Sequence, residues 1–189
     1  MPLFKLAVIV GSNRRESINR KLAQALARLG ADRFAARFVQ IDDLPLYNQD
    51  LEAVLPKNVM RFKSEIAGAD ALLFVTPEHS RSIPAVLKNA LDWGARPWGQ
   101  NSWTGKVAAV TGTSQGAIGT ALAQQHLRQI LGAQGVVMVG GEAYLQFKPG
   151  LIGDNDVVSD AGTRTFLKSF LDRFAALVAR FATPSRAAA

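Results

Sequence analysis

The sequence contains no cysteine, which excludes thiolate catalysis, zinc–thiolate sites and dithiol redox chemistry. It has only two histidines, His79 and His126. They fall on separate predicted elements, and no carboxylate stands at a spacing that would make either of them a metal ligand, so we predict no metal site. No arrangement of side chains indicates a catalytic triad, and we therefore name no catalytic residue.

Long apolar runs are also missing. The longest are far too short to span a bilayer, and the first residues lead directly into a predicted strand, so we expect neither membrane insertion nor a signal peptide. The absence of cysteine fits a reducing cytosol, and we expect a cytoplasmic protein. The net charge is +7, but the lysines and arginines are scattered and no RNA- or DNA-binding module is visible. This charge favours attraction of anionic small molecules over nucleic-acid binding, and no nucleic-acid partner is predicted.

Strand and helix patterns alternate along the 189 residues, a length typical of one domain. The predicted strands cover residues 4–10, 37–41, 71–75, 106–111 and 136–139. The predicted helices cover residues 18–29, 57–67, 84–93, 118–131 and 160–182, and a long loop covers 140–159. The apolar face of the last helix is predicted to contain Phe166, Phe170, Phe174, Leu177 and Phe181. Such alternation predicts one α/β domain over residues 1–183, with a parallel sheet between helices and a disordered tail at 184–189.

The turn between the first strand and the first helix is rich in hydroxyl and basic side chains. Gly11 ends the strand, and Ser12, Arg14, Ser17 and Asn19 follow it. Such a turn directs free backbone N–H groups and the positive end of the helix dipole at one spot, where these side chains add donors and charge. Each residue alone could be a helix cap or a solvated charge, but together they indicate a phosphate-binding loop. Neither the Walker pattern nor the dinucleotide pattern of glycines matches it.

Ligands of parallel sheets bind at the carboxyl ends of the strands. This rule selects three loops, residues 11–19, 76–82 and 112–119. Pro77 and Pro84 stiffen the second loop, whose backbone groups could then hydrogen-bond the polar edge of a planar heteroaromatic ring. The glycines of the third loop would let a flat ligand approach the backbone, or they could simply make a tight turn.

Three segments together resemble the NADPH-dependent FMN reductase family, and within it the bacterial chromate and quinone reductase branch. The segments are Gly11-Ser12-x-Arg14-x-x-Ser17-x-Asn19, Pro77-Glu78-His79-x-x-Ser82-x-Pro84 and Leu87-Lys88-Asn89-Ala90-Leu91-Asp92-Trp93. The resemblance implies a flavodoxin-like three-layer sandwich with a five-stranded parallel sheet of order 2-1-3-4-5. It also implies an FMN-dependent NAD(P)H oxidoreductase, using NADPH or NADH, that transfers two electrons by a ping-pong hydride mechanism to quinones, flavins, azo compounds or chromate.

The resemblance assigns the cofactor contacts residue by residue. The residues expected to hold the FMN phosphate are Ser12, Arg14, Ser17, Ile18 and Asn19. Those expected to line the isoalloxazine ring are Pro77, Glu78, His79, Ser80, Arg81 and Ser82, with Ser114 and Gly116 closing the other side. Arg81 is also a hypothetical contact for the phosphate of NADPH. The flavin carries the chemistry, so the resemblance adds no catalytic side chain.

The sequence departs from the family where many relatives have Tyr-Asn, because His79 and Ser80 stand there instead. The resemblance further implies a homodimer or homotetramer, in which residues 47–50 lie near a neighbour's flavin and Glu142 contacts another subunit. Two other functions stay open on the sequence alone. One is a flavodoxin-like electron carrier that does not use pyridine nucleotide, although the basic composition counts against it. The other is a nucleotide-binding module without redox chemistry.

Overall fold

The computed structural model describes residues 3–181, so the predicted tail at 184–189 and the two first residues lie outside the described part. Six strands and five α-helices follow one another. The strands are β1 (Phe4–Val10), β2 (Phe34–Val39), β3 (Ala71–Val75), β4 (Val107–Ser114), β5 (Val137–Met138) and β6 (Tyr144–Gln146). The helices are α1 (Ile18–Leu29), α2 (Lys57–Ala67), α3 (Ala85–Ala95), α4 (Ala121–Ala133) and α5 (Ala161–Phe181), and a 3₁₀ turn covers Gln49–Glu52.

The strands form one sheet of order β2-β1-β3-β4-β5, which confirms the predicted flavodoxin-like arrangement. All of these pairs are parallel, and in register Leu6 lies beside Ala71 and Leu73 beside Ala109. The short strand β6 was predicted as loop. It pairs in parallel with the end of β4, from Gly112 opposite Tyr144 to Ser114 opposite Gln146, and thereby extends β4 beyond its predicted end.

Two apolar layers cover the two faces of the sheet, as the alternation of strands and helices requires. One layer joins the sheet to α1 and α5, where the rings of Phe34 and Phe174 stack with centroids 5.2 Å apart. The other joins it to α2, α3 and α4 around Trp93 and Trp103, both fully buried. The central strand β3 is buried at every residue, so the helices fix the sheet from both sides.

Two predicted boundaries were wrong for identifiable reasons. The predicted second strand, residues 37–41, begins three residues late, because β2 is an edge strand whose four central residues are exposed and carry little apolar signal. The predicted face of the last helix is rotated. Phe170 and Phe174 are buried, but Phe166 and Phe181 are exposed and the buried face continues through other residues. Those residues are Leu167, Leu171 and Val178.

Candidate functional site

The carboxyl ends of β1, β3 and β4 lie side by side, and the three predicted loops leave the sheet there. We call residues 11–17 the first loop, 76–84 the second loop and 112–120 the third loop, although its first three residues, predicted as loop, are the end of β4. The backbone N–H of Gly11 donates to the carbonyl of Val75 at 2.9 Å, and that of Thr76 donates to the carbonyl of Thr111 at 3.0 Å. These bonds hold the starts of the first and second loops beside the neighbouring strands. The loops are therefore neighbours, as the sequence predicted.

Asn19 ties the first helix to the third loop. Its side chain is buried; Nδ2 donates to the carbonyl of Thr113 at 2.9 Å, and Oδ1 accepts from the N–H of Thr113 at 2.9 Å. This paired contact satisfies both backbone groups of a residue on β4 and holds the start of α1 against that strand. It uses Oδ1 and one hydrogen of Nδ2, so one Nδ2 hydrogen is the donor that Asn19 can offer to a ligand.

The first loop leaves several backbone N–H groups without a protein acceptor among the described residues. Ser17 caps α1, since its Oγ accepts from the N–H of Arg20 at 3.3 Å. Within the described residues, no protein group accepts from the backbone N–H groups of Asn13, Arg15 or Glu16. The side chain of Arg14 is exposed beside them. Free N–H groups in a loop that enters a helix, next to a basic side chain, are groups that could bind a phosphate.

The second loop contains a two-residue hairpin. His79 and Ser82 form an antiparallel bridge, in which the N–H of His79 donates to Ser82 at 3.0 Å and the N–H of Ser82 donates to His79 at 2.9 Å. The two residues between them, Ser80 and Arg81, have φ values of 48° and 64°. Positive φ at both central positions defines a type I′ turn, which favours Asn and Gly. We call residues 79–82 the hairpin.

Glu78 precedes the hairpin and joins it to α4. One carboxylate oxygen accepts from the guanidinium of Arg81 at 3.1 Å. The other accepts from the N–H groups of Leu122 and Ala123 at 3.1 and 3.2 Å, in the first turn of α4. The residue before this helix, Thr120, provides no side-chain cap, so Glu78 caps the helix from another loop.

A second link joins the hairpin to α4. The Oγ of Ser82 lies 2.7 Å from the Nδ1 of His126, which is exposed on the second turn of that helix. His126 was not predicted to lie at the site, because no sequence pattern marks it as a neighbour of Ser82, 44 positions away. Only the packing of α4 beside the second loop brings them together.

The third loop approaches the second closely. A Cβ atom on Gly112 would collide with the carbonyl of Thr76, so only glycine allows this approach of the two backbones. Further along, the Oγ of Ser114 donates to the carbonyl of Gly116 at 3.1 Å. Ser114 is half-buried and Gly116 is exposed, on the side of the site where the sequence predicted them.

A charged cluster that the sequence did not predict lies beside the second apolar layer. Glu52 accepts from the hydroxyl of Tyr47 at 2.7 Å and from the Nε of Arg96 at 2.7 Å. The hydrogen bond from Tyr47, followed by that from Arg96, lowers the pKa of Glu52, and the same bond raises the pKa of Tyr47. Nearby, Lys63 donates to the carbonyls of Arg96 at 2.6 Å and Gln100 at 2.8 Å, and burial lowers its pKa. The cluster therefore fixes the loop that follows α3.

The structure thus brings the predicted residues to one edge of the sheet, in the first turn of α1 and in three loops, which Asn19, Glu78 and Gly112 help to hold together. Residues 3–181 contain no group of three or more acidic or histidine side chains placed to bind a metal ion. In the same part of the chain, no helix is both long and apolar enough to cross a membrane. A cavity of about 660 Å³ lies elsewhere, between β6 and the start of α5, and no predicted contact lines it.

Comparisons with known proteins agree on one family. A family model described as NADPH-dependent FMN reductase matches residues 4–149. The chain is similar to a 2-hydroxy-1,4-benzoquinone reductase from a Burkholderia species, 49% identical over 176 residues that cover 93% of this chain and 96% of that protein. A quinone reductase from Pseudomonas putida is 47% identical over 178 residues, covering 93% of this chain and 95% of that protein. Among solved structures, FerB, a flavoenzyme NAD(P)H:(acceptor) oxidoreductase from Paracoccus denitrificans, matches with a TM-score of 0.92 and 44% identity, covering 95% of this chain and 99% of that one.

Proposed function

Because this chain belongs to the NADPH-dependent FMN reductase family, we propose that it is an oxidoreductase that holds FMN and passes two electrons from NAD(P)H to quinones and related small acceptors. The observation that carries this proposal is the first loop, where the N–H groups of Asn13, Arg15 and Glu16 have no acceptor among the described residues and Arg14 lies beside them. A phosphate group supplies the acceptors and the negative charge that this loop is built to receive.

The other two loops fit the rest of the cofactor. The second loop presents a rigid hairpin edge, and the third loop presents the small residues Ser114 and Gly116 on the opposite side. A planar ring between them would meet backbone donors whose positions are fixed before it arrives. Bound FMN supplies the hydride chemistry, and the protein residues hold the ring and leave one face accessible. If NAD(P)H and the acceptor use that face in turn, ping-pong kinetics follow.

The acceptors are proposed from the relatives and from the chemistry of an accessible site. Two relatives are named for quinones, and quinones are therefore the first acceptors to test. Free flavins, azo compounds and chromate stay proposed acceptors of the same two-electron chemistry. Arg81 stays the proposed contact for the phosphate of NADPH, although its guanidinium already pairs with Glu78 at 3.1 Å.

We also propose that a second copy of the chain covers an apolar surface near the charged cluster. Leu46, Val54 and Trp98 are 84%, 82% and 88% exposed, and large apolar side chains that lie together on a surface mark interfaces with other proteins. The Nε of Arg96 donates to the hydroxyl of Tyr47 at 3.1 Å, so the loops that carry Leu46 and Trp98 are tied together. Light scattering of the purified protein measures the state, and a monomer at all concentrations would contradict this part of the proposal. A cytoplasmic location stays part of the same proposal.

The deciding experiment is an anaerobic visible spectrum of the purified protein reconstituted with FMN, before and after addition of NADPH. We expect bound flavin whose colour bleaches rapidly with NADPH and returns when a benzoquinone is added. Bound flavin that stays yellow would identify an electron carrier that does not use pyridine nucleotide. Failure to bind any flavin would overturn the proposed role of the first loop and favour a binding module without redox chemistry.

The role of Arg14 can be tested separately. The Arg14→Ala variant removes a proposed charge-assisted contact to the phosphate, and such a contact typically contributes about 1.5–3 kcal/mol to binding. We therefore expect the dissociation constant of FMN to rise about tenfold or more. The matched control is Lys168→Ala, which removes the same charge from an exposed position on α5. Equal affinities of the two variants, measured by quenching of flavin fluorescence, would place the phosphate elsewhere.

A further inference from the structure

The hairpin of the second loop holds two residues in an unfavourable backbone conformation. Ser80 and Arg81 both have positive φ values, 48° and 64°, although neither is glycine or asparagine. A left-handed conformation costs an ordinary L-residue free energy that local contacts must offset. The two backbone bonds between His79 and Ser82 close the turn, but both residues of the turn itself, Ser80 and Arg81, are exposed. Something outside the hairpin must therefore select this conformation.

Helix α4 provides that external support on both sides of the turn. Before the turn, Glu78 accepts from the N–H groups of Leu122 and Ala123 at the start of the helix. After the turn, Ser82 is joined to His126 by a contact of 2.7 Å, the shorter of the two links. The two anchors on α4 lie one helical turn apart, because residues 122 and 126 share a face. The helix thus acts as a rigid frame for the hairpin.

The contact between Ser82 and His126 also determines which groups of Ser82 remain for a ligand. When Nδ1 of His126 is unprotonated, it accepts the hydroxyl hydrogen of Ser82, and the oxygen of Ser82 can only accept from a ligand. The orientation of the hydroxyl is then fixed by the ring. Without the imidazole ring, the hydroxyl of Ser82 rotates freely. Among the described residues, Ser82 then has no other side-chain hydrogen bond to α4.

We propose that His126 is a positioning residue of the flavin site, which acts through Ser82 to hold the hairpin in its left-handed turn. His126 does not contact the cofactor in this proposal, and its effect reaches the ring edge only through the hairpin. The inference rests on the proposed function in one respect, since it takes the hairpin to be the edge that receives the flavin ring. The geometry of the hairpin itself does not depend on that function.

The test compares His126→Ala with three other variants. His126→Asn places an amide group near the position of Nδ1 and should restore the contact. Ser82→Ala removes the other partner, and the double variant removes both. The matched control is Gln129→Ala, an exposed side chain further along α4 that makes no hydrogen bond within the described chain. Two readouts are measured: hydrogen exchange of the His79 and Ser82 amides in the flavin-free protein, and the dissociation constant of FMN.

We expect His126→Ala and Ser82→Ala each to speed exchange of the two hairpin amides about three- to tenfold and to weaken FMN binding by a similar factor. In hydrogen exchange of the flavin-free protein, the double variant should resemble either single variant, because the contact between Ser82 and His126 is lost in all three cases. His126→Asn should lie within twofold of the parent protein. The visible spectrum of bound FMN should change in His126→Ala and return in His126→Asn.

Two results would overturn the proposal. One is exchange of the hairpin amides in His126→Ala at the rate of the Gln129→Ala control. The other is a double variant whose effect on hydrogen exchange in the flavin-free protein is the product of the single effects, because independent residues behave in that way. A parent protein that binds no FMN, but whose hairpin amides respond as expected, would contradict the proposed function and leave the positioning role intact.

Discussion

At the scale of single residues, the site depends on side chains whose hydrogen bonds are made mainly with other groups of the protein. The side chain of Asn19 hydrogen-bonds to both backbone groups of Thr113, and Glu78, in the second loop, caps helix α4. Such residues make the loops rigid before a ligand binds, and preorganised donors cost less free energy to use. A sequence pattern selects these residues as candidates but does not show which neighbour takes their hydrogen bonds.

The strain at Ser80 can be tested through the stability of the protein. Asparagine tolerates the left-handed conformation better than serine, and a β-branched residue tolerates it worse. We expect Ser80→Asn to raise the free energy of unfolding by about 0.5–1 kcal/mol, a fraction of the usual left-handed penalty. Ser80→Thr should lower it. Urea unfolding of the three proteins measures the order, and a threonine variant as stable as the asparagine variant would show that the turn is not strained at this residue.

At the scale of elements, α3 packs closely against the loop after it at Gly94. A Cβ atom on Gly94 would overlap three atoms of the buried Trp103 ring. The ring is further held by its Nε1, which donates to the carbonyl of Leu91 at 3.0 Å, and it cannot move aside without losing that bond. The indole therefore occupies the space that any larger residue at position 94 would need.

Two glycine-to-alanine variants separate helix propensity from this packing. Gly132 lies near the end of α4 with no atom within 4 Å of its expected Cβ, so Gly132→Ala should stabilise the protein by up to about 1 kcal/mol. Gly94→Ala gains the same propensity but must displace the indole, and we expect a net loss of about 1–3 kcal/mol. Thermal unfolding compares the pair. Two stabilised variants would mean that the Trp103 ring has room to shift.

At the scale of the whole molecule, the topology and the position of the site were predictable, and several details were not. Strands β1 and β3 and the first half of β4 are mostly apolar, which is why the parallel sheet and its three loops could be predicted. Strand β6 has three residues and depends on pairing with the end of β4, so no local pattern marks it. His126 and the cluster around Glu52 depend likewise on contacts between distant segments. The cofactor contacts themselves stay predictions.

Two carboxylates with lowered pKa values predict that acid destabilises the fold. Hydrogen bonds from Tyr47 and Arg96 lower the pKa of Glu52, and bonds from Thr163 at the start of α5 lower the pKa of Asp160. A carboxylate with a lowered folded pKa stabilises the native state above its unfolded pKa, near 4, and this contribution disappears as the pH falls through the folded value. We expect the melting temperature to fall steadily below about pH 4.5.

The variants Glu52→Gln and Asp160→Asn keep the shapes of the two side chains and cannot ionise. Combined, they should flatten the decline of the melting temperature between about pH 5 and pH 3 relative to the parent protein. Calorimetry at a series of pH values measures the slope. An unchanged slope would assign the acid sensitivity to other groups of the chain.

The exposed edge of β2 bears on how concentrated solutions of the chain behave. An unpaired edge of a sheet is a template to which the same edge of another molecule can add, and the sequence there, Phe-Ala-Ala-Arg-Phe-Val, is otherwise well suited to fibrous stacking. Arg37 interrupts it with a charge that Glu65 holds at 2.9 Å. We expect this charged side chain on the edge of the sheet to oppose aggregation. An apolar residue in place of Arg37 should make the protein aggregate more readily without affecting the site.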